Sequence, residues 1–301
     1  MDDQTAGYAI AATTATRKQC MELRLVLEAV RIASRAVQHE GSWALMVTEE
    51  DFASATHELE DYLQENAGVV QDATKKATVH GGSIQAVLVY MALMIWFYVV
   101  TQLSTFDQNW LDVGRMNAGQ VMEGQYWRVI TALTLHLDIG HIASNLVFGA
   151  VFGVLAGRIL GGGVASLAIL FAGSLGNFIN AMIQQPEHSS VGASTAVFGA
   201  LGVIVAHALR PLVFRQPSHP VSAFKRWSPL IGGLVLLGFT GVDGPRTDVA
   251  AHATGFIAGL VVGSAGASLP THRLASSTVQ VSAGIITLII LAVAWAFGFA
   301  N

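Results

Sequence analysis

Charge is what this 301-residue chain has least of: 12% of its residues are Asp, Glu, Lys or Arg, where a soluble domain carries about 25%. With 52% hydrophobic residues and a mean hydropathy of +0.53, most of the chain is not built for water. The deficit is uneven. Thirteen of the twenty acidic residues and seven of the sixteen basic ones precede His80, so the head is soluble-like and everything after Ser83 is membrane-like. No basic stripe with interleaved aromatics is present and the net charge of -4 is small, which sets nucleic-acid binding aside. The one cysteine, Cys20, excludes an internal disulfide, and its helical neighbourhood gives it the part of a small half-buried residue. The first twenty residues lack the apolar run and basic lead of a cleavable signal peptide. The first apolar run, from Ile84, is therefore expected to act as an uncleaved signal-anchor.

Within the head, Cys20–Ala29 is spaced as a short amphipathic helix. Arg31–Gln38 and Ser42–Val47 alternate around a Glu40-Gly41 turn signal, which predicts a β-hairpin. Thr48–Asn66 follows with Thr48 as N-cap, acids in the first turn, and Phe52, Ala55, Leu59 and Leu63 on one face. The expectation is a small cytosolic α-β-β-α domain over residues 1–67 and a linker over 68–83.

Seven apolar segments come next, at about Ile84–Leu103, His141–Gly157, Val164–Ile183, Ser194–Leu209, Trp227–Gly241, Val249–Ala267 and Val281–Phe299. Lengths near ~20 residues suit a hydrocarbon core of ~30 Å. Gly149, Gly153 and Gly157, and again Gly255, Gly259 and Gly263, recur every four residues, a spacing that lets helix backbones approach closely. With the head cytoplasmic, the inner connections hold Arg158, Arg210, Arg215, Lys225, Arg226 and Arg273, while the outer ones hold Arg115, Arg128 and Arg246. That asymmetry follows the positive-inside rule. The long outer connection, Ser104–Gly140, carries Tyr126, Trp127 and Arg128 and then an apolar periodic stretch suited to the bilayer interface.

Four polar residues stand out by depth. Counted from the inner helix ends at ~1.5 Å per residue, Ser194 and His252 each lie ~23 Å up, and Asn145 and His141 lie ~20 to 26 Å up. They share one layer below the outer surface. Serine becomes a nucleophile when a base accepts its proton, and histidine is the usual base near neutral pH. His141 and Asn145, one helical turn apart, face one point and could serve an oxyanion together with free N–H groups at the start of the Ser194 helix. Gly192 allows a substrate backbone to approach. Asp248, four residues before His252, suits an N-cap better than a third catalytic member. Asn177 and Asn180 suit helix packing.

From Ile84 to Ala267 the sequence resembles the rhomboid intramembrane serine proteases. The likeness rests on Trp127-Arg128 in the first outer loop, His141-x-x-x-Asn145 with His136 upstream, Gly192-Ala193-Ser194 with Gly199 beyond, and Ala251-His252-x-x-Gly255-x-x-x-Gly259. Thr195 stands where the family usually has glycine, and Phe198 where many members have tyrosine stacked on the histidine. By resemblance, the fold is an all-α polytopic bundle of six helices (84–267) with a connection and seventh transmembrane helix (268–301). Ser194 and His252 form the catalytic dyad, and His141, Asn145 and the Ser194 backbone N–H serve the oxyanion.

The implied function is a serine endopeptidase that hydrolyses a peptide bond in or next to the transmembrane segment of a single-span or polytopic membrane protein. It would work within the lipid bilayer, without metal or cofactor. A zinc protease would need His-Glu-x-x-His, which is absent, and an intramembrane aspartyl protease would need two separate aspartates. The alternative is an inactive rhomboid-like protein that binds or escorts membrane proteins. The lack of a transit or signal peptide suits a bacterial inner membrane, with the site opening to the outer side.

Overall fold

The computed structural model describes residues 7–39, 41–74, 79–213, 223–240, 248–266 and 268–301. The chain forms two compact units, Met1–Ala77 and Thr78–Asn301. Arg215, Arg246, Asp243, Lys75 and Lys76 lie outside the described residues.

The first unit runs β1 (Tyr8–Thr14), α1 (Arg17–Ala29), β2 (Ser34–His39), β3 (Ser42–Thr48) and α2 (Phe52–Thr74). Its antiparallel sheet has the order β1-β3-β2. The hairpin lies where alternation predicts it. The leading strand is an addition to the expected α-β-β-α order: Tyr8, Ile10, Thr13 and Thr14 favour a strand, but Ala9, Ala11 and Ala12 dilute the signal. Its ladder with β3, from Tyr8 opposite Thr48 to Thr14 opposite Trp43, is what makes it a strand. Thr16 caps α1 by accepting from the Gln19 N–H. Leu45 and Val47 of β3 pack with Cys20, Leu23 and Leu27 of α1 and Ala55 and Leu59 of α2. Cys20 is fully buried in this core, deeper than its expected half-buried place. Thr48 does accept from the Asp51 N–H, but α2 begins only at Phe52 and runs to Thr74, into the stretch expected as linker.

The second unit is a multi-pass membrane bundle. Five of its helices are long and apolar enough to cross a membrane: α3 (Ser83–Gln102), α7 (Ile139–Leu160), α8 (Gly162–Ile183), α11 (Val249–Gly266) and α13 (Ser277–Ala300). Two more, α9 (Ser194–Val213) and α10 (Ala223–Thr240), have shorter apolar stretches, Ser194–Arg210 and Trp227–Gly238. All seven apolar segments are thus helical over their described residues. α9 extends four residues past the expected end at Leu209, so Ser194 begins a helix of 20 residues. The short helices α4 (Trp110–Gly114), α5 (Ala118–Met122), α6 (Arg128–Thr131) and α12 (Thr271–Leu274) fill the connections. Between α3 and α7, a 3-10 turn (Ala132–Thr134) ends the run, and strand β4 (Met116–Asn117) pairs with β5 (Ser189–Ser190) just ahead of α9.

Both glycine stripes lie where helices touch. On α7, a methyl at Gly149 would strike the Tyr90 ring, at Gly153 Val87 and at Gly157 Ser83, all on α3. On α11, Gly255 faces the Thr195 carbonyl, Gly259 faces Gly199 and Gly263 faces Val203, all on α9. Without a hydrophobic drive between helices in lipid, such contact surfaces supply the packing energy.

α13 is fastened at its first turn by one side chain. Gln280 Oε1 accepts the N–H groups of Gly163 (3.0 Å) and Val164 (3.1 Å), and Nε2 donates to the carbonyls of Leu160 and Leu274, each at 2.9 Å. Those are groups that the ends of α7 and α12 and the start of α8 leave without intrahelical partners. Gln280→Leu keeps the bulk and orphans all four. It should destabilise the unit by about 2 kcal/mol or more, read as a lowered Tm in detergent relative to an exposed control such as Val281→Ala.

Candidate active site

Three segments converge on a cavity of about 980 Å³: the start of α7, the β5–α9 connection, and the start of α11. Gly192, Ser194, Thr195 and Phe198 line it from the connection and α9, His141 and Asn145 from α7, and Ala251 and His252 from α11. The two residues expected as nucleophile and base therefore open into one space, with the two expected oxyanion groups.

The local chain explains the placement. Gly192 has φ +132°, a conformation side chains rarely adopt, and a methyl there would meet His141 Nε2. Its N–H donates to the Ala132 carbonyl at 2.9 Å. Ala193 donates its N–H to His136 Nε2 (3.4 Å), and its carbonyl accepts the first α9 hydrogen bond, from Val197. Ser194 thus opens α9, where the first N–H groups have no intrahelical partner and the helix dipole favours negative charge. His136 is buried, and desolvation with the nearby His141 ring pushes its pKa down to about 3. A neutral imidazole is what the Ala193 N–H needs as acceptor.

His252 sits on the first turn of α11, and its ring lies against Phe198 with centroids 4.5 Å apart and planes 34° from parallel. Such ring pairs contribute about 0.5–1.5 kcal/mol and fix the imidazole's orientation. Asn145 is buried, and its amide donates to the His141 carbonyl one turn back at 2.9 Å. Tyr90 on α3 donates to the Asn145 carbonyl (2.9 Å).

Trp127 and Arg128 do not line the cavity; they organise the loop beside it. The buried Arg128 guanidinium donates to Gln125 Oε1 (2.6 Å) and to the carbonyls of Asp112 (2.8 Å) and Arg115 (3.0 Å). Gly199, Gly255 and Gly259 belong to the α9–α11 seam. Asn177 donates to the Val129 carbonyl (2.9 Å) and so ties α8 to α6.

Asp248 does cap α11, accepting the Ala251 N–H on Oδ1 at 3.0 Å. Its other oxygen accepts from Asn180 of α8 (2.8 Å) and meets His188 Nε2 at 2.8 Å. His188, which also lines the cavity, was not singled out in the sequence. It stands in a connector with no periodic context, and only its pairing with Asp248 marks it. Asp138 caps α7 through the His141 N–H (2.8 Å) and was likewise missed. The helices that carry His141 and His252 therefore both begin at an aspartate cap.

Residues 123–268 match the Rhomboid domain family. The chain is similar to rhomboid protease GluP of Bacillus subtilis (strain 168), with 26% identity over 191 residues, 62% of this chain and 36% of that protein. It is 25% identical over 188 residues to rhomboid protease GlpG of Haemophilus influenzae, covering 62% of this chain and 93% of that one. With Rhomboid-like protease 3 of Toxoplasma gondii it shares 32% over 138 residues, 46% of this chain and 51% of the relative. Against several relatives, then, the chain spans only about a third to a half of their length.

Burial opposes ionisation of Asp248, but the Ala251 N–H, His188 and Asn180 outweigh it and hold its carboxyl below the ordinary value. A carboxyl lowered on folding stabilises at every pH above its unfolded value of ~3.9, and that contribution is lost as pH falls through the folded value. Asp248→Ala should cost about 1–2 kcal/mol at pH 7. In thermal unfolding at pH 7 and pH 3, the gap to wild type should narrow at the lower pH.

Proposed function

We propose that this chain, whose residues 123–268 form a rhomboid domain, is an intramembrane serine endopeptidase acting through a Ser194/His252 dyad. The observation that carries the reading is the shared cavity, with the His252 ring held on Phe198 and Ser194 at the start of α9. In this scheme His252 accepts the Ser194 hydroxyl proton as Oγ attacks the scissile carbonyl carbon. The carbonyl oxygen becomes an oxyanion among His141, the Asn145 amide and the Ser194 N–H. His252 returns the proton to the leaving nitrogen, and water enters by the same route to release the acyl group. Asp248 serves as helix cap in this scheme; its oxygens bond Ala251, Asn180 and His188.

By its likeness to the rhomboid proteases, and in keeping with a site at one end of a membrane bundle, the substrate in this reading is a single-span or polytopic membrane protein with its scissile bond in or next to a transmembrane segment. The unit is then six rhomboid helices (α3, α7, α8, α9, α10 and α11) plus α13. Arg158 and Arg210 lie at the ends of α7 and α9 opposite the cavity, while Arg115 lines the cavity itself. Under the positive-inside rule this points the cavity to the outer side and the head to the cytoplasm, in a bacterial inner membrane. Phe198 retains ring stacking on His252 where many family members have tyrosine, while Thr195 adds a side chain where the family usually has glycine.

In liposomes carrying a labelled single-span substrate, Ser194→Ala and His252→Ala should each reduce cleavage by about ten-thousand-fold or more. A fluorophosphonate should label wild type and not Ser194→Ala. Cleavage that survives Ser194→Ala would sink the dyad. Wild type that neither cleaves nor takes the label would favour the inactive, substrate-binding relative.

A further inference from the structure

α13 lies wholly beyond the residues 123–268 that match the domain, yet one of its side chains reaches the segment that supports the Ser194 loop. Trp295 is buried, with its ring 5.4 Å from Phe97 (21° between planes), 5.0 Å from Trp110 and 5.4 Å from Phe299. Its Nε1–H donates to Thr134 Oγ1 at 3.2 Å, a buried bond. The Thr134 hydroxyl donates its own hydrogen bond to the Thr131 carbonyl at 2.7 Å, so acceptor and donor roles are both used.

Thr134 closes the 3-10 turn Ala132–Thr134, and the far side of that turn carries the residues just ahead of the serine. The Ala132 carbonyl accepts the Gly192 N–H (2.9 Å), and His136, two residues past the turn, accepts the Ala193 N–H (3.4 Å). Leu135, between them, is fully buried in the cluster with Trp295, Trp110 and Phe97. A methyl at Gly114 would strike the edge of the same indole, so the ring also fixes the end of α4. The turn is held between an indole on one side and Gly192-Ala193 on the other.

We propose that Trp295 is a positioning residue for Ser194: through Thr134 and the Ala132–His136 segment it sets the position of Gly192 and Ala193, and with them the serine and its N–H. The proposal rests on the reading of Ser194 as nucleophile. It is physically reasonable because an indole is rigid, has a donor fixed in its plane, and is packed here against three other rings. Displacement of a reacting group by ~1 Å from a remote change can cost about a hundredfold in rate. Gln280 pins the first turn of the same helix through four hydrogen bonds, which leaves α13 little freedom to drift along its axis.

The test uses the full chain with Trp295→Phe, which keeps an aromatic ring in the cluster and removes the donor, and Thr134→Val, which removes the acceptor at constant shape. Each should lower kcat by about three- to tenfold at unchanged KM and slow fluorophosphonate labelling by the same factor. The double variant should fall no further than either single one, as for two ends of one contact. Hydrogen exchange of the Gly192 and Ala193 amides should be faster in both variants. A kcat equal to wild type, a pure KM effect, or additive losses would overturn the proposal. If wild type neither cleaves nor takes the label, the protease reading fails on its own account. Amide exchange then decides alone: faster exchange in Trp295→Phe supports the positioning role, and unchanged exchange overturns it.

Discussion

The close approach of α9 and α11 is the constraint on which the rest of the site depends. Gly255 against the Thr195 carbonyl and Gly259 against the Gly199 backbone leave no room for a side chain at either α11 position. Both helices advance four residues per contact, so the seam works as a ratchet with one register. That register puts the first turn of α9 level with the first turn of α11. Ser194 and His252 reach a common cavity because the backbones meet at these glycines, and a slip by one contact would separate them by a full turn, ~5.4 Å.

The polar groups around the cavity follow a second rule, that buried donors and acceptors need partners where water is scarce. Asp138 and Asp248 occupy the starts of α7 and α11, and each satisfies a backbone N–H while anchoring a helix that brings a histidine to the cavity. Arg128 does the same for the intervening loop by gathering two carbonyls and a glutamine. Charge is scarce in the apolar unit, and these charged groups stand at chain ends and bends, where backbone groups would otherwise lack partners.

How much of this was legible beforehand depends on range. The seven apolar segments, the two glycine stripes and the cavity residues were visible because each has a period or a local spacing. The capping role of Asp248 was visible for the same reason. His188 was not, since its partner is sixty residues away and nothing in its own neighbourhood requires a histidine. Gln280 and Trp295 look ordinary on an apolar helix, and only the tertiary contacts with α8 and Thr134 give them meaning. The first strand was missed because three alanines dilute its strand-favouring Tyr8, Ile10, Thr13 and Thr14, and its ladder partner β3 lies far along the chain. The end of α9 was misplaced because Arg210 and Pro211 look like a stop, whereas the helix continues to Val213.

Gly192 carries a consequence beyond its turn. The space its missing side chain leaves is occupied by His141 Nε2, so the loop ahead of the serine and the imidazole on α7 fit together like a key and its ward. Neither can move toward the other without a clash, so the two sides of the cavity, which come from elements about fifty residues apart, limit each other's approach. A tilt of α7 toward the loop would be felt ahead of the serine as a steric push, with no need for a charge or a hydrogen bond to carry it.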